Sequence, residues 1–400
     1  MSTATETPTE PVAASTRRLA VDLRQYGILA ALVIIILLFE VLTGGRLLMP
    51  GNVNNLIQQN AYVLILAIGM VMVIIGGHID LSVGSLVAMV GAVAALAMNE
   101  WRLPWWLAVI LSILVGALVG AWQGFWIAFV GVPAFIVTLA GMLLFRGLTL
   151  VLLYGGTIGG LPAEFVAIGA GWLPSWLGTA GKTDILTLVL GLVSCGALVA
   201  FQIQARNGRR KLDLPVEGAA AMWGKLAIAV VAIMAGSWQL ANYSGTPIIL
   251  IILAALIVGY SFVLNRSVFG RHVYAIGGNL FSAVMSGVKT KRVNFALFVN
   301  MGVLAGLAGV VNTSRAGGAV ASAGQNYELD AIASVFIGGA AVQGGVGTVV
   351  GAVIGALVMG VLNMGLSILS VDAAWQMAIK GLVLLLAVAF DLVNKRRGGR

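Results

Sequence analysis

Residues 61–98 read AYVLILAIGMVMVIIGGHIDLSVGSLVAMVGAVAALAM. Two apolar runs, 61–77 and 81–98, each approach the ~18–20 residues needed to cross the hydrocarbon core of a bilayer. The first ends in Gly76-Gly77, and His78 and Asp80 lie between the two. In lipid every backbone N–H and C=O must find its partner inside the protein, so the two runs read as helices. Working outward, similar runs occupy 26–43, 105–126, 133–154, 183–205, 222–241, 246–265, 293–313, 330–343, 348–368 and 376–393. The chain is 60% hydrophobic and 9% charged, where a soluble domain would carry roughly a quarter charged residues. The sequence therefore predicts an all-α polytopic membrane protein with about 10–12 transmembrane helices, some of them broken.

A net charge of +9 raises the question of nucleic acid, and the placement of the charge answers it. With the N-terminus inside, the loops predicted on the inner side hold sixteen Lys and Arg residues. The outer loops hold Arg46, Arg102, Lys182 and Arg315. That bias is the positive-inside pattern and sets orientation, with both termini cytoplasmic, a lipid membrane as the partner and no nucleic acid. Trp101, Trp105, Trp106, Trp172, Trp176 and Trp375 fall at predicted outer ends, where interfacial aromatics belong. Residues 1–25 read as a disordered cytoplasmic tail, 26–393 as a single membrane domain, and 394–400 as a basic cytoplasmic tail.

Two interruptions fall within membrane-depth sequence, Gly76 to Ser85 and Gly338 to Gly347. Broken helices at that depth are tolerated only where protein or a water-filled cavity surrounds the freed backbone, and in transporters they often mark the transport path. The spacings Gly116/Gly120/Gly124, Gly302/Gly306 and Gly347/Gly351/Gly355 predict close helix packing. Cys195, the only cysteine, reads as a small core residue.

Several chemistries are missing. A phosphate-binding loop needs G-x-x-x-x-G-K-[ST], but Trp176 occupies the first glycine position before Gly181-Lys182-Thr183, and Gly224-Lys225 runs into Leu226. No enzymatic nucleophile–base constellation and no metal-ligand spacing stands out, and no bound cofactor is expected. Ion coupling would want titratable groups at mid-membrane. Glu40, Asp184 and Asp391 lie near helix ends, Asp80 near the inner surface, and Glu328 and Asp330 at the start of a helix on the outer side. Only Arg146 is placed well inside a span, where it would anchor a neighbour. An ion-coupled secondary transporter of small polar solutes stays as the alternative. Uncharged groups suit a neutral solute better, and Asn300, Gln343 and Asn363, together with Asp80, Ser82 and Ser85 at the first interruption, are the candidates for its path.

Five segments, in order, carry a family resemblance: IDLSVGS (79–85), PAFIVTLAGMLLFRG (133–147), GRHVYAIGGNLFSAVMSG (270–287), YELDAIASVFIGG (327–339) and the stretch 344–391 ending in AVAFD. Together they resemble the ribose/xylose family of ABC sugar permeases across about residues 52–391. The resemblance implies a non-catalytic subunit in the bacterial inner membrane that moves a monosaccharide, xylose or a related sugar, by alternating access. It implies a second copy of the chain, cytoplasmic ATP-binding subunits that hold the ATP and Mg, and an extracytoplasmic sugar-binding protein. Within the inner loop 266–292, Gly270, Arg271, Tyr274, Gly277, Gly278, Asn279, Ser286 and Gly287 would form the segment seated on the ATPase. Glu164, Tyr327, Glu328 and Asp330 would face the binding protein. Asn326 stands where the ribose pattern has Gly, Gly339-Ala340-Ala341-Val342 departs from the usual turn, and 183–241 is an insertion similar to the xylose and multiple-monosaccharide branch.

Overall fold

Helix α2 (Pro50–Ile75) is the axis of the molecule, and 83% of its apolar window is covered by other helices. The computed structural model describes residues 18–214, 216 and 218–398. Residues 1–17, most of the expected N-terminal tail, lie outside the described residues, and α1 (Arg18–Leu42) begins ahead of the predicted span. The order continues with α3 (Val83–Asn99), α4 (Trp105–Phe125) with a π turn at Trp126–Val130, and α5 (Ala134–Leu152). Next come β1 (Thr157–Gly159), α6 (Ala163–Ala170), β2 (Thr179–Ala180), β3 (Thr183–Asp184), α7 (Ile185–Lys211), α8 (Ala219–Ala241) and α9 (Ile248–Arg266). Two short helices follow, α10 (Val268–Gly278) and α11 (Leu280–Met285), and then α12 (Thr290–Ala316) and β4 (Gly318–Val320). The chain ends with α13 (Tyr327–Ile337), α14 (Val349–Ile368) and α15 (Ala373–Gly398).

Among the described residues eight helices are long and apolar enough to cross a membrane, and three shorter apolar stretches, Gly27–Leu42, Val83–Asn99 and Ala373–Leu386, accompany them. Around α2 stand α12, α14, α13 and α9, with α3 and α4 packed behind α12. The inserted pair α7 and α8 lies at the periphery, with only 17% and 11% of their apolar windows covered. Glycines set the tightest crossing. A Cβ on Gly116 would run into the carbonyl of Gly302, and one on Gly120 into the carbonyl of Phe298, so α4 and α12 meet backbone to backbone. The third predicted stripe behaves alike, with Gly351 against Gly338 and Gly355 against Ser334. Between lipid-exposed helices this small-residue contact replaces the hydrophobic effect as the driving force.

The segment 330–343 does not form the predicted span. Its helix, α13, has 11 residues and a length of about 16 Å, half of what a bilayer core requires. Tyr327, its first residue, stacks on Tyr62 with ring centroids 3.7 Å apart. Tyr62 is the thirteenth of the 26 residues of α2, so α13 starts at mid-depth. After α12 the chain turns at Gly317, pairs β4 antiparallel to β1, and then descends through 321–326 to reach that point. Arg146 makes the descent possible: its Nη1 donates to the carbonyls of Ala323 at 2.6 Å and Ala321 at 3.3 Å. Each such carbonyl left unpaired in lipid would cost several kcal/mol.

The two predicted interruptions share one backbone design. Helix α2 ends at Gly76 (φ −68°, ψ −2°) followed by Gly77 at φ +82°, and α13 ends at Gly338 (φ −68°, ψ 1°) followed by Gly339 at φ +85°. The closing hydrogen bonds match as well: His78 N–H to Val73 O in one break, Ala340 N–H to Val335 O in the other. The left-handed conformation of Gly77 and Gly339 carries little cost only because neither has a Cβ. The sequences on either side repeat too, Ile-Gly-Gly before each break and Val83-Gly84-Ser85 or Val346-Gly347-Thr348 after it.

A buried ion pair fixes the last helix. Asp330, 2% exposed, accepts from Lys380 Nζ of α15 at 3.2 Å and from the Tyr62 hydroxyl at 3.4 Å. Removing one partner of such a pair costs about 3–5 kcal/mol, because the other charge stays buried. Lys380→Met should therefore lower the thermal midpoint of the detergent-solubilised protein sharply, and adding Asp330→Asn should recover most of the loss. A single variant that melts like the wild type would show that the pair does not hold α15.

Candidate functional site

The first break gathers three of the six path candidates. Asp80 is fully buried, and its Oδ1 accepts from the backbone N–H of Ser82 at 2.8 Å and from the Ser82 hydroxyl at 2.7 Å. Gln123 Nε2 of α4 donates to the same hydroxyl at 2.7 Å, and Thr138 of α5 lies 3.5 Å from the carbonyl of Ile79. Ser85 sits one turn on, also buried. Asp80 thus closes the entry to α3, and Gln123 ties that entry to its neighbour.

The start of α3 and the start of α13 face each other. A Cβ on Gly84 would collide with the carboxylate of Glu328 and the carbonyl of Gly324, and one on Gly324 with the carbonyl of Gly84. Helix N-termini carry partial positive charge, so the Glu328 carboxylate beside the first turn of α3 is favourably placed. On the far side of α13 the Tyr327 hydroxyl donates to Asn312 at 3.1 Å, and Asn363 Nδ2 reaches Asn60 Oδ1 at 3.4 Å. Polar side chains from α2, α3, α4, α12, α13 and α14 therefore surround the descending segment and the two helix starts. Hydroxyls, amides and backbone termini of this kind can exchange hydrogen bonds with a neutral polyhydroxylated solute without a fixed charge pairing it too tightly.

The remaining candidates lie elsewhere. Asn300 accepts from the Tyr260 hydroxyl at 2.6 Å and clamps α12 to α9. Gln343 is exposed in the second break. Of the four residues expected to face a binding protein, only Glu164, on α6, is exposed; Tyr327 and Glu328 are half-buried. Asp330 is buried and ion-paired at mid-depth, which removes it from any docking surface. The sequence reading gave α13 one full crossing, and its short length accounts for the shift. Lys380, Tyr62 and Asn60 were missed, since their partners lie 50 to 303 residues away and no local pattern signals them.

The opposite end of the bundle carries α10 and α11. Gly270 lies against the carbonyl of Leu264 and lets α10 fold back on α9, while the Ser267 hydroxyl caps α10 by accepting from Gly270 N–H at 3.0 Å. Asn279 Oδ1 accepts from Ser282 N–H at 2.9 Å and starts α11; Ser286 donates to Ser282 O at 2.8 Å, and Gly287 turns the chain at φ +80°. Tyr274 donates to the carbonyl of Gly347 at 2.6 Å, and burial pushes its phenol above the ordinary value, which keeps it a donor. Gly277 and Gly278 lie against the second break. Outside stand Leu280, Phe281, Val284 and Met285, with Phe281 71% and Met285 68% exposed, rimmed by Arg271, Lys289, Lys291 and Arg292. The sequence marks this loop as amphipathic, and the run LFSAVM supplies its apolar face, which the glycines and polar residues singled out there do not include. Among the described residues no group of three His, Cys, Asp or Glu gathers as a metal site.

Over residues 52–388 the chain matches the family described as branched-chain amino acid transport system / permease component. It is 40% identical over 380 residues to the xylose transport system permease protein of Escherichia coli K12, covering 94% of each chain. A xylose transport system permease protein from Haemophilus influenzae is also 40% identical, over 94% of this chain and 98% of its own length. The ribose import permease protein of Bacillus subtilis is 34% identical over 96% of this chain and 98% of its own. No solved structure matches the chain. A multi-pass helical bundle with two broken helices, matched along most of its length, places the chain in the ribose/xylose permease family of ABC importers, as a non-catalytic membrane subunit.

Proposed function

We propose that this chain forms the membrane path of an ATP-driven importer for a monosaccharide of the xylose class. The observation that carries the reading is the α10–α11 segment, a capped pair of short helices holding an apolar face and a basic rim away from the bundle. A chain without a phosphate-binding loop has use for such a surface if a cytoplasmic ATPase, with its own ATP and Mg, sits on it. The names of the similar xylose and ribose permeases support the sugar class. The basic bias of the loops supports the orientation, with α10 and α11 in the cytoplasm, both termini inside and the bacterial inner membrane as location.

On this reading the paired strands β1 and β4 and α6, with exposed Glu164, face an extracytoplasmic sugar-binding protein. A second copy of the chain completes the path. Sugar released from the binding protein meets the mid-depth region where α3 and α13 begin, with Asp80, Ser82, Ser85, Gln123 and Asn363 nearby. Closure of the ATPases under α11 then shifts the bundle from outward to inward access. Weak contacts, most of them from amides and hydroxyls, suit that task, since a path must release what it binds.

Reconstitution tests this directly. Proteoliposomes holding the chain, its ATPase and its binding protein should hydrolyse ATP faster with xylose or a related sugar, and only when all three proteins are present. Sugar uptake driven by a proton gradient without an ATPase would overturn the reading. An aromatic anchor at an interface is worth about 2 kcal/mol or more, so Phe281→Asp should weaken co-purification of the ATPase roughly 30-fold without preventing membrane insertion. Unchanged association would move the docking surface elsewhere.

A further inference from the structure

Between α13, α14 and α15 lies a cavity of about 150 Å³, far more than the ~10–15 Å³ that one water needs. Two helix stripes of the same spacing form its walls, positions 326, 329, 330 and 333 at the start of α13 and positions 377, 380, 381 and 384 on α15. Apolar stripes at that spacing would pack shut. These stand apart beside Gly381, where nothing lies within 4 Å of the place a Cβ would take. Met359, also in the lining, is the eleventh of the 20 residues of α14, so the cavity lies at mid-depth, level with the start of α13.

Four of the lining residues are polar: Gln325, Asn326, Asp330 and Lys380. Charged groups at that depth are costly and face protein or water rather than lipid. Asp330 is closed in at 2% exposed, but the Lys380 side chain is 23% exposed, so the opening beside it borders a watery space and not hydrocarbon. The bonds these groups make leave capacity over. Tyr62 and Lys380 both donate to Asp330 Oδ2, while Oδ1, buried, has no hydrogen-bond partner among the described residues. The Lys380 ammonium has three donors, one of which goes to Asp330. Asn326 Nδ2 lies 3.3 Å from Met377 Sδ, and a thioether is a weak acceptor. Asn326 holds φ +63°, a conformation that glycine enters without strain, and so carries its amide to the cavity at some conformational cost.

A sugar hydroxyl is donor and acceptor at once. One hydroxyl can donate to Asp330 while its neighbour accepts from Lys380, and a third can accept from Asn326. Met359 and Met377 offer an apolar surface to the C–H face of the ring. The carboxylate and ammonium cancel in net charge, which suits a neutral solute. We propose that this cavity is a sugar-binding site within the membrane subunit, with Asn326 and the Asp330–Lys380 pair as its specificity-determining contacts. The proposal rests on the importer reading above and places the site on the face of α13 turned from Glu328, which lies against Gly84 of α3. The permease then selects among sugars a second time, after the binding protein.

The test uses the full complex of permease, ATPase and binding protein in proteoliposomes. The binding protein is saturated with xylose or with each xylose derivative that lacks one hydroxyl. Asn326→Gly removes the amide where glycine fits the backbone. The double variant Asp330→Asn/Lys380→Met removes both charges and leaves neither unpaired, and Gly259→Ala, on open space in α9, is the control. Uptake of labelled sugar and ATP hydrolysis are measured together. Asn326→Gly should lower xylose uptake about fivefold, the usual effect of one neutral hydrogen bond, and the double variant tenfold or more. Each loss should vanish for the derivative that lacks the hydroxyl concerned, and Gly259→Ala should match the wild type throughout. Wild-type uptake in both test variants overturns the proposal. So does a loss of equal size for every sugar of the panel, which would mark a structural role. If the double variant fails to insert, Asn326→Gly decides alone. Hydrolysis that no sugar stimulates in the wild-type complex would instead sink the importer reading, and the site with it.

Discussion

Backbone polar groups in a bilayer must be paired within the protein, and this molecule breaks its helices at membrane depth in three places. Each place has its own remedy. Arg146 serves the carbonyls of the descending segment 321–326; at the first break Asp80 serves the N–H of Ser82 and Gly345 the open carbonyl of Ile75; at the second break the Tyr274 hydroxyl serves the carbonyl of Gly347. Apart from the local Asp80–Ser82 turn, these groups come from elements other than the one whose backbone they complete, so the interior is held together by contacts between elements. The core of α2, α12, α13 and α14 is the result, and the peripheral α7 and α8 take little part in it.

The same constraint accounts for where polar chemistry can sit. Half-helix α13 brings Tyr327, Glu328 and Asp330 to mid-depth because its chain has already paid for the descent with Arg146 and the β1–β4 pairing. Charge is then balanced locally, Asp330 by Lys380 and Glu328 by the start of α3. The other polar groups around the two helix starts are amides and hydroxyls, largely bonded to one another.

Much of this was legible in the sequence. Gly76-Gly77 and Gly338-Gly339 announced the breaks, and the Gly116/Gly120 and Gly302/Gly306 spacings announced the α4–α12 crossing. Arg146 was read as an anchor, and the carbonyls of Ala321 and Ala323 are what it holds. The depth of α13 was not legible, because an apolar run of 330–343 has the composition of a crossing whether or not it is one. Lys380 went unnoticed for a related reason: one lysine in an apolar helix gains meaning only from Asp330, 50 residues away. The repeat of the break design was present in the letters, yet its significance comes from dihedral angles that composition does not report.

In the importer proposed above, the breaks would be the moving parts and the long helices the frame. Hydrogen exchange read by mass spectrometry on the complex, with and without a non-hydrolysable ATP analogue, tests it most directly. The account predicts that amides of 76–84, 321–330 and 338–347 change exchange together on nucleotide binding while those of α12 and the middle of α2 do not. Change spread evenly over the long helices, with the three segments unaltered, would contradict it.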